Sequence, residues 1–184
     1  MIRESGRPVI TEGRLPAEVR TYAFLDSAGI CYDRVDHPEH PAETMEICRQ
    51  IEPVLGARIC KNLLLTNRQQ TRFYLLLMPG DKPFKTKYLS AQLGCSRLSF
   101  GSEEQLVEYI GTTHGSASVL GLLNDKSNAV HLIADIDLKS STWFACHPCR
   151  NTSTLRFSFS DLTAKILPAL GYAITWVELP AEIE

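Results

Sequence analysis

The sequence lacks the features that would place it in several common protein classes. Its 184 residues contain no apolar run near the ~20 residues that a membrane-spanning helix requires. The first residues, Met1 to Arg14, are rich in charge and have no apolar segment typical of a secretory signal. No Gly-x-Ser-x-Gly, Walker phosphate-binding loop or His-Glu-x-x-His is present. We therefore expect a cytoplasmic protein without membrane contact, outside the common hydrolase and nucleotide-binding classes.

Paired cysteines are also scarce. Of the six cysteines, only Cys146 and Cys149 stand at the C-x-x-C spacing of metal and redox sites. A structural zinc site needs four ligands, usually from a second such pair, and the sequence has no second pair. The other four cysteines are scattered singly, as reduced thiols are. We expect no metal and no cofactor, and a zinc-binding or redox protein remains an alternative class.

The composition that is present fits an ordinary globular protein. Hydrophobic residues make up 44% and charged residues 22% of the chain, and its length predicts one domain. We assign residues 1–14 to an N-terminal extension, a candidate flexible segment, and residues 15–184 to the domain.

The distribution of charge along the chain says more about a binding partner than the net charge does. The net charge is −2, but the segment from Arg58 to Arg97 carries +7 and the remainder −9. A basic block within an acidic chain is typical of a face that meets phosphate groups, although acidic neighbours in the fold would balance it equally well. The basic residues are Arg58, Lys61, Arg68, Arg72, Lys82, Lys85, Lys87 and Arg97, and Asp81 alone opposes them.

Hydrophobic periodicity predicts an α+β single domain with a mixed, largely antiparallel sheet flanked by helices, because helices interrupt a series of strands. The strongest prediction is a central hairpin formed by residues 58–66 and 71–78. Predicted helices cover residues 15–28, 44–51, 86–93, 102–110 and 160–170, and the other predicted strands cover 30–35, 130–136, 142–146, 154–159 and 174–179.

Four single residues define the ends of these predicted helices. Pro53 is expected to stop the helix that starts at Thr44. Ser102 and Gln105 have the spacing of a capping box, and Ser160 is expected to cap the last helix.

Three features could carry chemistry. Lys61 lies within an apolar strand, where a partly shielded ammonium would bind a phosphate or act as a base of lowered pKa, unless strand alternation turns it to solvent. The loop Gly115-Ser116-Ala117-Ser118 can present main-chain N–H groups to an oxyanion. The alternative is that it is an ordinary turn, as most Gly/Ser loops are. His147 is either a general base or a structural histidine.

Taken in order, these segments resemble the prolyl-tRNA synthetase editing-domain family. The resemblance is carried by Cys60-Lys61-Asn62-Leu63-Leu64-Leu65, by Phe73 to Asp81, by Arg97-Leu98-Ser99-Phe100, by Gly115 to Asp125, by His147-Pro148 with Asn151-Thr152, and by Trp176 to Leu179. It covers nearly the whole chain from about Leu15. The most similar subgroup is the freestanding ProX type of alanyl-tRNA(Pro) deacylase, and the YbaK type of cysteinyl-tRNA(Pro) deacylase is more distant.

The resemblance implies an enzyme that hydrolyses the aminoacyl ester of mischarged tRNA(Pro), with alanyl-tRNA(Pro) as the expected substrate. Its implied partners are that tRNA and, as a candidate, prolyl-tRNA synthetase, with no DNA. Lys61 would hold the 3′ end of the tRNA, and Gly115, Ser116, Ala117 and Ser118 would grip the ester. The implied substrate-binding residues are Thr44, Asn62, Val119, His147 and Asn151.

One departure from the family pattern concerns the loop. The family loop reads Gly-x-x-x-Pro, and Val119 stands here at the proline position. Proline would fix the main chain and favour extended geometry before it, so valine leaves the loop's rigidity open. A non-catalytic tRNA-binding module of the same fold is therefore one alternative. A deacylase for cysteinyl-tRNA(Pro) or another small amino acid is a second one, which does not depend on Val119.

Overall fold

Two β-sheets and the helices around them form the protein, of which a computed structural model describes residues 1–182. The α+β class is confirmed, and the strands divide between an antiparallel sheet and a mixed one. The first sheet contains, in spatial order, β1 (Arg3–Ser5), β2 (Tyr32–Asp36), β8 (Ser153–Ser158) and β7 (Trp143–Cys146). The second contains β5 (Ser99–Phe100), β3 (Lys61–Thr66), β4 (Phe73–Met78), β6 (Val130–Asp135) and β9 (Thr175–Val177).

The helices lie between and around these strands. They are α1 (Pro16–Ser27), α2 (Met45–Leu55), α3 (Thr86–Gln92), α4 (Glu103–Ile110), α5 (Phe159–Asp161) and α6 (Leu167–Leu170), with a π-helical turn over Leu162–Ile166 and 3₁₀ turns over Val119–Asn124 and Ile136–Ser140. Among residues 1–182, no helix has the length and apolar character needed to cross a membrane.

The predicted hairpin is confirmed at the centre of the second sheet. Strands β3 and β4 pair antiparallel from Lys61 opposite Met78 to Thr66 opposite Phe73, and every residue of β4 is buried. The side chain of Asn67 shapes the turn, because its Oδ1 accepts hydrogen bonds from the main-chain N–H groups of Thr71 and Arg72. Both faces of β4 are covered, which explains its continuous apolar run.

The largest core lies between the two sheets. It joins Leu75 and Leu77 of β4 to Phe144 of β7 and Phe157 of β8, all fully buried. Each such side chain contributes about 1.5–3 kcal/mol on burial, so this core holds the two sheets together. A second apolar cluster fills the opposite face of the mixed sheet beneath α3.

The first residues of the chain join the antiparallel sheet. Strand β1 pairs with β2, and the Arg14 guanidinium contacts the carboxylates of Glu18 at 2.5 Å and Asp36 at 2.6 Å. Glu18 is almost completely buried, so this ion pair ties the segment before α1 to the body of the domain.

Two predicted helix ends are wrong, and the capping box is confirmed. Helix α2 continues through Pro53 to Leu55 and ends at Gly56, whose φ is +71°. Pro53 and Arg49 lie on the exposed face, where water can solvate the Arg49 carbonyl that loses its helical donor. The last helix is capped by Ser158 rather than Ser160, because the Ser158 hydroxyl accepts from the N–H of Asp161 at 2.9 Å. Ser102 and Gln105 cap α4 reciprocally.

Candidate functional site

A cavity of about 300 Å³ opens where the two sheets meet. Its walls come from the segment leading into α2, the first half of β3, the junction of β5 with α4, and the loop around Gly115. Lys61, Gly115, Ala117 and His147 all line it. With Asn62, which also lines it, the structure brings five of the residues expected from the sequence to one concave site, although they come from distant parts of the chain.

Lys61 stands at the start of β3 and is partly buried in the cavity wall. Its Nζ donates a hydrogen bond to the carbonyl of Lys82 at 2.6 Å. Burial lowers the pKa of this ammonium, and the charge of Asp81 partly opposes that effect. Lys61 has no carboxylate within ion-pair distance among the described residues, so its charge is available to an anion in the cavity.

Lys82 is held in turn by two carboxylates. Its buried ammonium lies 2.8 Å from Asp135 and 2.8 Å from Asp137. These ion pairs fix the turn after β4 and therefore the carbonyl that receives Lys61. The arrangement also removes Lys82 from the exposed positive charge that the sequence suggested for residues 58–97.

The Gly115 loop presents main-chain donors to the cavity. Gly115 has a φ of +75°, a conformation that side chains disfavour, and an added Cβ would lie 3.3 Å from Asn151 Nδ2. Ser116 is committed to the fold, because its N–H donates to the carbonyl of Thr113 and its Oγ accepts from the N–H of Asn151. Within residues 1–182 no hydrogen bond uses the N–H groups of Gly115 or Ala117. Both residues line the cavity, so these two amides are candidate donors to a bound oxygen.

Asn62 locks the second half of this loop to β3. Its Oδ1 accepts a hydrogen bond from the N–H of Val119 at 2.8 Å, and its Nδ2 donates to the carbonyl of Cys60 at 3.0 Å. Ser118 is fully buried, and its Oγ accepts from the N–H of Leu120. Proline at position 119 could not donate to Asn62, so valine replaces the stiffness of a proline ring with a hydrogen bond.

His147 lines the cavity as a neutral acceptor. Its Nδ1 lies 2.9 Å from the carbonyl of Ser153 and 3.2 Å from the Oγ1 of Thr154, and because a carbonyl can only accept, the proton belongs on Nδ1. Within residues 1–182 no hydrogen bond uses the Nε2 lone pair. Burial lowers the pKa of His147 to about 4. A group of that pKa is a poor base at neutral pH, but its Nε2 can accept a hydrogen bond from an ammonium.

Three expected substrate-binding residues, Thr44, Asn151 and Val119, do not line the cavity. Thr44 is exposed and caps α2, with its Oγ1 3.4 Å from the N–H of Ile47, while its neighbours Glu43 and Met45 form the wall. Asn151 braces the site through its main chain, since its N–H donates to Ser116 and its carbonyl accepts from the N–H of Ala42. Ser116, Ser118 and Val119 likewise lie behind the lining.

The cavity has an apolar part that sequence reasoning missed. Met45 and Cys48 of α2 line it together with Ile59, and Phe100 and Leu106 line the opposite side. Phe100 belongs to Arg97-Leu98-Ser99-Phe100, a segment that carries part of the family resemblance, but the resemblance gave that segment no role. The others read as ordinary core positions, because apolar lining and apolar core are the same pattern in a sequence.

A basic surface adjoins the cavity at Phe100, whose side chain is 59% exposed and lines both the cavity and two neighbouring clefts. We use this term for the basic residues lining those clefts, Arg68, Lys85, Lys87 and Arg97. Half of the predicted basic block therefore lies at the cavity's edge, around an exposed aromatic ring.

The Cys146 and Cys149 pair lies away from solvent. Both thiols are buried, and burial raises the pKa of each, which disfavours the thiolate that metal binding and redox chemistry require. No group of three or more His, Cys, Asp or Glu side chains within residues 1–182 is arranged to hold a metal ion.

The comparisons with known proteins agree with this geometry. The model of the aminoacyl-tRNA editing domain family matches residues 39–164. The chain is 32% identical over 165 residues to the prolyl-tRNA editing protein ProX of Acetoanaerobium sticklandii, covering 90% of this chain and 99% of that protein. It is 27% identical to prolyl-tRNA synthetase associated domain-containing protein 1 of Danio rerio, covering 88% and 86% of the two chains.

The fold is also found among solved structures. One described as a candidate trans-editing enzyme for prolyl-tRNA synthetase superposes with a TM-score of 0.67 at 17% identity, over 90% of this chain and 99% of that one. Fold, cavity and family match together define an aminoacyl-tRNA deacylase. The chain belongs to the aminoacyl-tRNA editing domain family.

Proposed function

We propose that this protein hydrolyses the aminoacyl ester of mischarged tRNA(Pro) in trans, with alanyl-tRNA(Pro) as its preferred substrate. The observation that carries the proposal is that Lys61 lines the same cavity as Gly115 and Ala117, whose main-chain N–H groups make no hydrogen bond within residues 1–182. The relationship to ProX and the editing-domain match support the choice of tRNA. The reaction would take place in the cytoplasm, where tRNA is charged.

Lys61 binds the 3′ end of the tRNA in this proposal. An ammonium that is partly shielded from water interacts more strongly with a phosphate than an exposed one does. The hydrogen bond to the Lys82 carbonyl fixes its direction without neutralising its charge. Lys61 is thus an anchor for the terminal nucleotide.

The Gly115 loop stabilises the developing oxyanion. An aminoacyl ester is already activated, so hydrolysis needs mainly a positioned water and donors aimed at the oxygen that gains charge. Gly115 and Ala117 supply such donors. The vicinal hydroxyl of the terminal ribose orients or deprotonates the water, since His147 is too weak a base at neutral pH. His147 Nε2 accepts from the α-ammonium instead.

Cavity size selects the amino acid. The walls at Met45, Cys48 and Ile59 belong to a packed apolar cluster, so they resist expansion. In this proposal the part of the cavity at these walls admits the alanine methyl group and excludes the larger proline ring. This exclusion supplies discrimination that added contacts cannot, because one methylene separates substrates by only ~1–3 kcal/mol.

A deacylation panel tests the proposal. Purified protein without added metal is incubated with alanyl-, cysteinyl-, seryl- and prolyl-tRNA(Pro), and we expect the alanyl ester to be hydrolysed fastest and the prolyl ester spared. Faster turnover of the cysteinyl ester would change the substrate but keep the activity. Binding of charged tRNA with no turnover of any ester would make the protein a non-catalytic tRNA-binding module.

A single variant tests the role of Lys61. We expect Lys61→Ala to lose about 10²-fold or more in rate, as removal of a key electrostatic group does, with a nearly unchanged melting temperature. Lys126→Ala is the matched control, because Lys126 is exposed and lies outside the cavity lining. Unfolding of Lys61→Ala would make Lys61 structural. Co-sedimentation with prolyl-tRNA synthetase would test that enzyme as a partner.

A further inference from the structure

The outer edge of strand β3 has a gap at Asn62. On one side of this gap, the N–H of Cys60 donates to the carbonyl of Ala145 in β7 at 2.9 Å. On the other side, the carbonyl of Leu64 accepts from the N–H of Gly101, just after β5, at 2.9 Å. The two sheets therefore approach the same edge from both ends and leave one residue between them.

The main-chain groups of Asn62 point into that gap. Alternate residues of a strand direct their N–H and C=O groups to the same side. Leu64 faces the β5 side, and the Asn67 N–H, which bonds to Arg72, faces the hairpin partner β4. By this alternation Asn62 faces outward with Leu64. No strand within residues 1–182 pairs with Asn62 on this edge, where the cavity lies.

The side chain of Asn62 is not available for the same purpose. Its Oδ1 is occupied by the Val119 N–H and its Nδ2 by the Cys60 carbonyl, and the residue is only 8% exposed. The side-chain atoms are thus held by the fold, and the inference uses the main-chain N–H and C=O of Asn62, which have no strand partner on this edge within residues 1–182. A peptide N–H and C=O without partners beside a cavity require a ligand or water with complementary groups.

We infer that the main chain of Asn62 binds the aminoacyl group of the substrate as an adjacent strand residue would, a proposal that rests on the proposed function. An α-amino acid ester carries its ammonium and its carbonyl on one Cα, with the spacing that an antiparallel pair uses. The ammonium donates to the Asn62 carbonyl, and the ester carbonyl accepts from the Asn62 N–H. The same N–H then joins the Gly115 and Ala117 amides around the oxyanion.

This arrangement assigns recognition of the common part of an amino acid to β3 and recognition of its side chain to the apolar wall. It also explains why the gap is only one residue long, since a single aminoacyl group has one donor and one acceptor to pair. A longer peptide would meet β7 on one side and Gly101 on the other.

Amide hydrogen exchange followed by NMR tests the inference. In the free protein we expect the Asn62 amide to exchange at least about tenfold faster than the amides of Leu63 and Leu65, which face the partner strand β4. The probe is 3′-deoxy-3′-(L-alanylamino)adenosine, a non-hydrolysable amide of the charged terminus. It should slow Asn62 exchange to the level of its neighbours. The matched probe with a lactyl group, which lacks the ammonium, should bind about tenfold more weakly.

The outcomes separate this inference from the proposed function. A probe that shifts the Gly115 and Ala117 amides and leaves Asn62 unchanged overturns the inference while the deacylase proposal stands. An Asn62 amide that is already protected in the free protein also overturns it, because the edge would then be paired. Probe binding nowhere in the cavity removes the inference, and the deacylation panel then decides the function independently.

Discussion

At the scale of single residues, the site depends on groups whose partners are already assigned and on a few that remain free. Within residues 1–182, Lys61 has no carboxylate partner and the N–H groups of Gly115 and Ala117 make no hydrogen bond. The side chains of Ser116, Ser118 and Asn62, in contrast, hold the loop. The supporting residues Ser116 and Ser118 alternate in the chain with Gly115 and Ala117, and Asn62 directly follows Lys61. A short motif in this sequence therefore combines chemistry with its own support.

Gly115→Ala tests whether the loop conformation matters beyond stability. A Cβ at a φ of +75° costs about 1–2 kcal/mol, and here it also comes within 3.3 Å of Asn151 Nδ2. We expect at least a tenfold loss of deacylation, measured together with urea unfolding. Gly94→Ala is the control, because Gly94 has a φ of +60° and nothing within 4 Å of its added Cβ. Equal losses of activity in the two variants would show that only stability is involved.

At the scale of elements, α2 forms one wall of the site and carries an unusual interior proline. Its buried face packs Cys48, Ile51 and Leu55 into an apolar cluster, and Thr44 and Gly56 define its ends. Tertiary packing of this face stabilises the helix enough to tolerate Pro53 on the exposed side.

Pro53→Ala should stabilise the protein. Proline in a helix interior is about 3 kcal/mol less favourable than alanine, and the greater freedom of the unfolded chain returns about 1 kcal/mol of that difference. We expect the free energy of unfolding in urea to rise by about 1–2 kcal/mol with unchanged activity. Pro16→Ala should change stability little, since Pro16 is the first residue of α1, where an N–H has no helical acceptor. A destabilised Pro53→Ala would contradict this account.

At the scale of the whole molecule, charge is arranged unevenly around the cavity. The basic surface adjoins it, whereas the charges of Arg14 and Lys82 are neutralised by carboxylates in partly buried and buried ion pairs and contribute little field outside the fold. A substrate with a phosphate backbone would meet the basic surface and Phe100 before its charged end enters the cavity.

Binding of tRNA should weaken steeply as salt rises, because neutralised phosphates release counterions. Replacing Lys87 and Arg97 together by alanine should reduce the slope of log affinity against log salt by about one to two. Filter binding from 50 to 200 mM salt would measure it. The control replaces Lys126 and Lys139, which are exposed and outside both the cavity and its neighbouring clefts. A slope equal to wild type would place the contact face elsewhere.

Buried histidines should make the protein less stable in mild acid. Burial lowers the pKa of His147 to about 4 and that of His37 below its usual value, whereas an unfolded histidine titrates near 6.5. The unfolded chain thus binds more protons below about pH 6.5, and the free energy of unfolding falls as pH drops toward 4, by up to about 1.4 kcal/mol per pH unit for each histidine.

Urea unfolding between pH 7 and 4.5 checks this expectation. His147→Asn should flatten the pH dependence, since asparagine can still donate to the Ser153 carbonyl but does not titrate. His131→Asn, at an exposed position, serves as the control. A pH dependence that is unchanged in His147→Asn would contradict the assignment of the acid sensitivity to that residue.

The sequence by itself determined the features that nearby residues encode. The β3–β4 hairpin follows from two apolar runs and a polar turn, the α4 capping box from Ser102 and Gln105, and the loop donors from Gly115 and its neighbours. Each depends on interactions across a few residues, so a periodic or spacing pattern specifies it.

Only the tertiary structure decided which strands meet and what they leave open. The contacts of Ile59 with Ala145 and of Leu64 with Gly101, which create the gap at Asn62, join segments far apart in the chain. The apolar wall of the cavity likewise joins distant segments, and so does the ion pair that neutralises Lys82 with Asp135. Such pairings are set by how whole faces pack, and apolar patterning fixes which face is buried without fixing its partner.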